Sequence, residues 1–425
     1  MIWILVALLV LALAIALQHM MRGTPIEGFR CIGGGEELLR AEHPMFQQAF
    51  ELLTHTRIWD TNRVSVHFNG EQTYDPMFAD LAGARRLIIF HVFWFKPGRL
   101  AERVRAVLEE RARAGVKVLF LIDYWGSKGL GREYRERLRA AGVEVQVFRP
   151  LNFANLHKVH QRMHMRCVVI DNEIGWTGGF GIDDHWLGDG RHRDQWRDTN
   201  VRLLGPMVHQ LAAAFATNWA EATGQLLTGA DWFHQAGDEP AGDCRAGLMF
   251  AAPTLGSTNA ERFFALATVS ARRTLYITNA YFAPDREFRR MLIEAAGRGV
   301  DVRVLTPGGN TDERSVWYAG RAHYEELLEG GVRIYEYAPT MVHAKTIVAD
   351  GVWGYVGTLN FDNRSMSLND EVAVVFWDDD VGRQLHDQYQ EDLRHAREVE
   401  LDRFRRRGPG GRLLEQSARI IVRVL

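Results

Sequence analysis

Short apolar runs bounded by turn residues recur along the whole chain. Strand-like blocks stand at 64–68, 87–95, 116–122, 143–148 and 165–170, with helical patterns between them at 99–114 and 130–141. A stretch rich in Gly, Asp and Ala follows at 226–245, and the pattern then resumes. The second series has strand-like blocks at 274–282, 301–305, 332–337 and 344–349, with helices near 286–298 and 317–329. Apolar strands alternating with amphipathic helices predict an α/β fold around a mostly buried sheet. The two series also match each other. LIIFHVFWFKP (87–97) parallels LYITNAYFAP (275–284), AGVKVLFLID (114–123) parallels RGVDVRVLTP (298–307), and AGVEVQVFRP (141–150) parallels GGVRIYEYAP (330–339). Blocks repeated in order at an offset of roughly 180–190 residues mean internal duplication. The predicted architecture is two pseudo-symmetric repeats, 61–226 and 246–400, joined by 227–245, each a mixed sheet flanked by helices.

The ends differ from the repeats. Residues 2–17 carry no charge. As a helix they span about 24 Å, a little short of a bilayer core, and residues to Met21 extend them. We expect residues 1–21 to form a transmembrane anchor. A cleaved signal peptide ending near Ala14-Ile15-Ala16 is the rival, but nothing basic precedes the apolar run. A buried core helix is the third reading. Arg22 and Arg30 follow the run, which by the positive-inside rule places the catalytic part in the cytoplasm. Residues 22–60 read as linker and helix. At the other end, 401–425 is a basic tail. After RFRRR (403–407), Gly408-Pro409-Gly410-Gly411 break the chain, and Leu413, Ser417, Ile420, Ile421 and Val424 then fall at helical spacing. Such a helix suits an anionic bilayer surface or the protein's own body.

Composition narrows the class. A net charge of −2 argues against a nucleic-acid protein with a global basic field. The three cysteines, Cys31, Cys167 and Cys244, show neither metal spacing nor a paired framework. Gly33-Gly34-Gly35 lacks the Lys-Ser/Thr pair of a phosphate loop. No metal or cofactor is expected.

The chemistry lies in a repeated motif. His343, Lys345 and Asp350 follow H-x-K-x4-D at the start of a predicted strand, and His164, Arg166 and Asp171 recur at identical spacing. Side chains two apart in a strand share a face, so each imidazole lies beside a fixed cation. An imidazole can attack phosphorus or shuttle a proton, and the cation can hold phosphate oxygens. With both motifs, and with WRDTNVRLLGP (196–206) and MVHAKTIVADGVWGYVGTLNFDNRS (341–365), the chain resembles the phospholipase D superfamily and, more narrowly, the bacterial cardiolipin synthases.

That resemblance implies one site shared by both repeats. His164 would be the nucleophile and His343 the acid, an assignment that pseudo-symmetry allows to be reversed. Arg166 and Lys345 would clamp phosphate oxygens. Asp171 and Asp350 complete the motifs as catalytic-motif residues that are often structural in the family. Thr358, Asn360, Gly178 and Gly179 would bind substrate, and Asp198 and Glu371 would orient the histidines. Two departures stand out: Arg166 replaces the family lysine, and Gly181 stands where the counterpart of Asn360 belongs. The expected function is a phosphatidyltransferase of the bacterial inner membrane that joins two phosphatidylglycerols into cardiolipin and glycerol. Its partners would be phospholipids and the membrane, with no nucleic acid. A phospholipase D-type hydrolase or nuclease, or a lipid-binding relative of low activity, are the alternatives. The aromatics at 93–95 and 281–282 read as core filling or as the lining of a lipid channel.

Overall fold

The computed structural model describes residues 39–152, 161–230, 240–253 and 258–422, with isolated positions outside these runs. The first repeat contributes β1 (Trp59–Phe68), β2 (Leu87–Val92), β3 (Lys117–Asp123), β4 (Glu144–Phe148), β5 (Arg166–Ile170), β6 (Ile174–Gly178) and β7 (Thr199–Leu204). The second contributes β8 (Cys244–Ala251), β9 (Thr274–Asn279), β10 (Asp301–Pro307), β11 (Arg333–Tyr337), β12 (Lys345–Ala349), β13 (Trp353–Gly357) and β14 (Glu371–Trp377), with a short edge strand β15 (Ala396–Glu398). The order is β4-β3-β2-β5-β6-β7-β1 in one half and β11-β10-β9-β12-β13-β14-β8 in the other, the same path walked twice. An antiparallel junction of β1 with β8 joins them.

Strand composition explains these positions. In each half three strands run parallel (β2-β3-β4 and β9-β10-β11) and are linked by helices, Arg99–Arg113 and Arg132–Ala140 in the first half. β2 is Leu-Ile-Ile-Phe-His-Val and is buried at every position, as a strand covered on both faces requires. One apolar core belongs to both halves: Val64, Val66 and Val201 pack in the same cluster as Val348, Val356 and Val374. The two halves of the continuous sheet are therefore fixed relative to each other by shared burial as well as by the junction.

Several expectations shift. The strands foreseen at 87–95 and 274–282 end at Val92 and Asn279, because the chain then turns to bring Phe93 and Tyr281 over the site described below. Phe95 and Phe282 instead fill the cores, the use expected for them, while Phe93 and Tyr281 line the cleft. The helix expected at 317–329 is two helices, Arg314–Arg321 and Tyr324–Glu329. The chain break at 408–411 is a helix start, since Pro is well placed at the first helical turn. That helix, Pro409–Val422, packs against Arg314–Arg321. It buries Glu415, which pairs with Arg407 at 2.8 Å and Arg321 at 3.4 Å, and leaves Leu413 and Leu414 exposed. The expected anchor, residues 1–21, lies mostly outside the described residues; its described positions, such as Trp3, Leu9 and Leu13, are helical and exposed. Among the described residues no helix is long and apolar enough to cross a membrane.

Candidate active site

His164 and His343 stand two residues before β5 and β12. Each is strapped to the opposite half by main-chain bonds. The His164 N–H donates to the Asp370 carbonyl at 2.9 Å, and the Asp370 N–H to the Arg162 carbonyl at 2.9 Å. In the other half, the His343 N–H donates to the Arg197 carbonyl at 2.6 Å, and the Arg197 N–H to the Met341 carbonyl at 2.9 Å. Buried Arg197 is held by Asp392 at 2.8 Å.

These straps cross-pair the side chains. The His164 Nδ1 lies 2.9 Å from Glu371 Oε1, and the His343 Nδ1 lies 3.1 Å from Asp198 Oδ2. Each imidazole is thus oriented by a carboxylate from the other repeat. A proton on Nδ1 leaves Nε2 as the lone-pair nitrogen of each ring, and both rings line a cleft of about 340 Å³. Arg166 NH1 is 3.2 Å from His164 Nε2, and its Nε donates to the Phe180 carbonyl at 3.0 Å. Lys345 Nζ is 2.9 Å from His343 Nε2 and donates to the His343 carbonyl at 2.6 Å. Arg166 and Lys345 are both buried.

Burial sets the charges. It lowers His343 to about 3, with Lys345 adding to the shift and Asp198 opposing it. Burial also holds His164 well below its ordinary value, aided by Arg166, Lys345 and Arg364. Lys345 falls to about 7 through burial and the charge of Arg166. Burial pushes Glu371 up to about 7, against its hydrogen bonds to Thr358 and Ser365 and the charge of Arg166. Burial alone would raise Asp198, but its bonds to His343 and Trp186 and the charge of Lys345 leave it lowered and ionised. The two imidazoles are thus neutral beside Arg166 and Lys345, a setting that favours entry of a phosphodiester.

Three sequence expectations need correction. Asp171 and Asp350 do not reach the site. Both stand at positive φ, 54° and 55°, in the turns beyond β5 and β12, the far ends of those strands from the histidines. Asp171 accepts from the backbone N–H groups of Arg85, Arg86 and Leu87 at 2.8 Å, and Asp350 accepts from those of Arg272, Arg273 and Thr274 at 2.7–2.9 Å. They anchor the starts of β2 and β9. Thr358 does not line the cleft either: its hydroxyl donates to Glu371 Oε2 and accepts from Val372 N–H at 3.0 Å. Gly178 and Gly179 make room where substrate contacts were expected. A Cβ on Gly179 would lie 2.0 Å from Asp198 Oδ1. The longer Glu371 is held by the hydroxyl at 358, and the shorter Asp198 occupies the space an equivalent side chain at 179 would need. Asn360 lines the cleft.

The Gly181 departure has a structural cause. The Trp186 indole lies over Gly181, where a Cβ would sit 2.9 Å from the ring, and its Nε1 donates to Asp198 Oδ2 at 2.7 Å. Trp186 and Trp196 also pack on His343, with ring centroids 5.1 and 5.4 Å away. Trp186 was not foreseen, because a tryptophan five residues past the motif glycine carries no chemical signature in a sequence. Gly181→Asn, which restores the residue matching Asn360, is expected to overpack the indole. It should lower stability by about 1–3 kcal/mol, read as a reduced Tm with loss of the native tryptophan fluorescence.

A family model described as "Cardiolipin synthase, PLD-like domain" matches residues 77–219 and 267–394. The chain belongs to this cardiolipin synthase, phospholipase D-like family. A cardiolipin synthase of Geobacillus kaustophilus is 34% identical over 394 residues, 92% of this chain and 78% of that protein. Cardiolipin synthase 2 of Bacillus anthracis is 33% identical over 361 residues, 84% of this chain and 70% of that one. The crystal structure of phosphatidylserine synthase from Haemophilus influenzae Rd KW20 shares the fold, with a TM-score of 0.65 at 10% identity over 89% of this chain and 99% of that chain. The phospholipase D-like matches to residues 77–219 and 267–394 contain the two histidine motifs.

Proposed function

We propose that the protein is a membrane-bound phosphatidyltransferase that joins two phosphatidylglycerol molecules into cardiolipin and glycerol. The observation that carries this reading is the pair of imidazoles in one cleft, each backed by a carboxylate of the other repeat and flanked by Arg166 or Lys345. A phosphodiester exchange needs a nucleophile on one side of phosphorus and an acid on the other. The His164 Nε2 attacks the donor phosphorus, and the bond from phosphorus to the head-group glycerol oxygen breaks. His343 gives its Nε2 proton to that oxygen, and glycerol leaves. The terminal hydroxyl of a second phosphatidylglycerol then attacks the phosphohistidine. Its proton passes to His343 as the phosphorus–nitrogen bond breaks. Arg166 and Lys345 stabilise the non-bridging oxygens as charge builds on them.

An ionised Asp198 suits His343 to the acid role, because it stabilises the imidazolium. The bound phosphodiester counters Lys345 and Arg166 and so raises His343 towards protonation. The relatives' names and the cleft's mixed lining of Phe93, Trp94, Tyr281 and cations support a lipid substrate. The apolar run at 2–17 and the outward Leu413 and Leu414 support attachment to the bacterial inner membrane, with Arg22 and Arg30 favouring a cytoplasmic site.

The test is product analysis by mass spectrometry after incubation with phosphatidylglycerol in mixed micelles. Cardiolipin with free glycerol is the expected result, and phosphatidic acid alone would assign a hydrolase. The same assay carries a pH expectation. Lys345, held at about 7 in the free site, loses its charge above that pH. In the wild type the alkaline fall of kcat/KM, which the low-lying His343 acid already imposes, then steepens by about a further tenfold per pH unit above 7. Lys345→Arg, whose guanidinium stays charged, lowers the rate but lacks that steepening. An identical alkaline limb in Lys345→Arg would remove Lys345 as its origin.

A further inference from the structure

The mechanism uses one phosphate position, between His164 and His343, yet the cleft is lined by further charged side chains, with Asp312, Glu313 and Asp362 among them. Arg162 and Arg364 also line it. Arg162, His164 and Arg166 alternate along one extended segment, so their side chains share a face. The equivalent position in the second repeat is Met341, so this additional cation belongs to the His164 side only.

Arg162 is incompletely satisfied where it stands. It is 3% exposed, and its Nε has no hydrogen-bond partner among the described residues. Its other nitrogens reach the carbonyls of Arg149 at 3.4 Å and Lys158 at 3.1 Å. Asp123 is 3.8 Å away and already accepts from the N–H groups of Trp125 at 2.8 Å and of Gly126 and Met163 at 3.3 Å. A guanidinium buried without a bonded anion is costly unless a ligand supplies one. An unfilled acceptor lies in the same cleft. Buried Asn369 donates from its Nδ2 to Glu371 Oε1 at 3.3 Å, which turns its Oδ1 away from the acid, and that Oδ1 has no partner among the described residues. The cleft therefore presents an unfilled donor for an anion and an unfilled acceptor for a hydroxyl.

We propose that Arg162 and Arg364 form a second phosphodiester site, which holds the acceptor's own phosphate while its terminal hydroxyl attacks the phosphorus on His164. This rests on the transferase reading above. Its chemistry selects an anionic, hydroxyl-bearing glycerophospholipid over water or an uncharged alcohol. The spacing fits. Two residues of extended chain advance about 6.6 Å, comparable to the reach of the glycerol that bridges the two phosphodiesters of the product. In the step, the acceptor oxygen–phosphorus bond forms, the His164 Nε2–phosphorus bond breaks, and the hydroxyl proton goes to His343. Asn369 Oδ1 accepts from the second hydroxyl of the acceptor glycerol.

The experiment is a competition between acceptors. Enzyme in mixed micelles receives phosphatidylglycerol with 1-propanol, and cardiolipin and phosphatidylpropanol are quantified together. Arg162→Gln and Arg364→Gln are expected to lower the ratio of cardiolipin to phosphatidylpropanol by about tenfold or more, through a raised KM for phosphatidylglycerol as acceptor. Arg364 is half-buried, so its variant carries the test if the fully buried Arg162 cannot be replaced without unfolding. An unchanged ratio in Arg364→Gln, with transfer still measurable, overturns the second site alone. Wild type that forms neither transfer product overturns the transferase reading, and the second site with it.

Discussion

His164→Ala and His343→Ala are each expected to reduce cardiolipin formation by about 10⁴-fold or more, because each removes a group that makes or breaks a bond. The two variants should part when the leaving group changes. From a phosphatidyl donor carrying p-nitrophenol, the leaving group departs as a stable phenolate and needs no acid. His343→Ala should then release nitrophenol at a rate approaching that of wild type and retain phosphorus on the protein. His164→Ala should remain inactive with the same donor. Both rings line one cleft and both are buried, so exposure does not choose between them. The ionised Asp198 behind His343 does, since a carboxylate favours the imidazolium that an acid must be. Recovery of His164→Ala, and not His343→Ala, by the activated donor would reverse the roles.

The second large effect lies in the acids. Asp198→Asn is expected to lower kcat by about 10³–10⁴-fold, as loss of the orienting carboxylate does in a hydrolase triad. Asp198 also accepts from Trp186 Nε1 and from the Thr199 N–H, so the neutral amide fits the space but faces three donors with one oxygen and one NH₂. Glu371→Gln should cost less, about 10²-fold, because burial already holds Glu371 near half-protonation at neutral pH. The pairing across the repeats makes a sharper forecast. Asp198→Asn should be relieved by the nitrophenol donor, as His343→Ala is, although Asp198 lies in the first repeat. Glu371→Gln should not be relieved, although Glu371 lies in the second. If relief follows the repeat in which each acid lies, the acids act through the wrong histidines and the crossed arrangement is not the one used in turnover.

Much of the machinery was legible before any coordinates. The duplicated strand and helix blocks and the paired His-x-cation-x4-Asp motifs are local patterns, and the family resemblance they carry implied Asp198 and Glu371 as the orienting acids. Periodicity and spacing report local geometry directly, because the side chain two residues along a strand is a neighbour whatever the rest of the chain does. The motif aspartates are placed by the same strand geometry, which leaves them a structural position. Spacing groups Asp171 with His164, but an extended strand puts them at opposite ends, and the carboxylate bonds backbone N–H groups at residues 85–87.

By itself, then, the sequence determined that two α/β repeats each bring one histidine and one cation. It did not say which acid serves which histidine. That was decided by contacts across 207 and 145 residues, His164 with Glu371 and His343 with Asp198. The β1–β8 junction and a core shared by Val64, Val201, Val348 and Val374 set those contacts. The same docking laid Trp186 over Gly181 and brought Arg162 and Arg364 to one cleft. Such contacts leave no periodic trace, because they depend on how the two halves bury their faces together and not on what any one segment prefers.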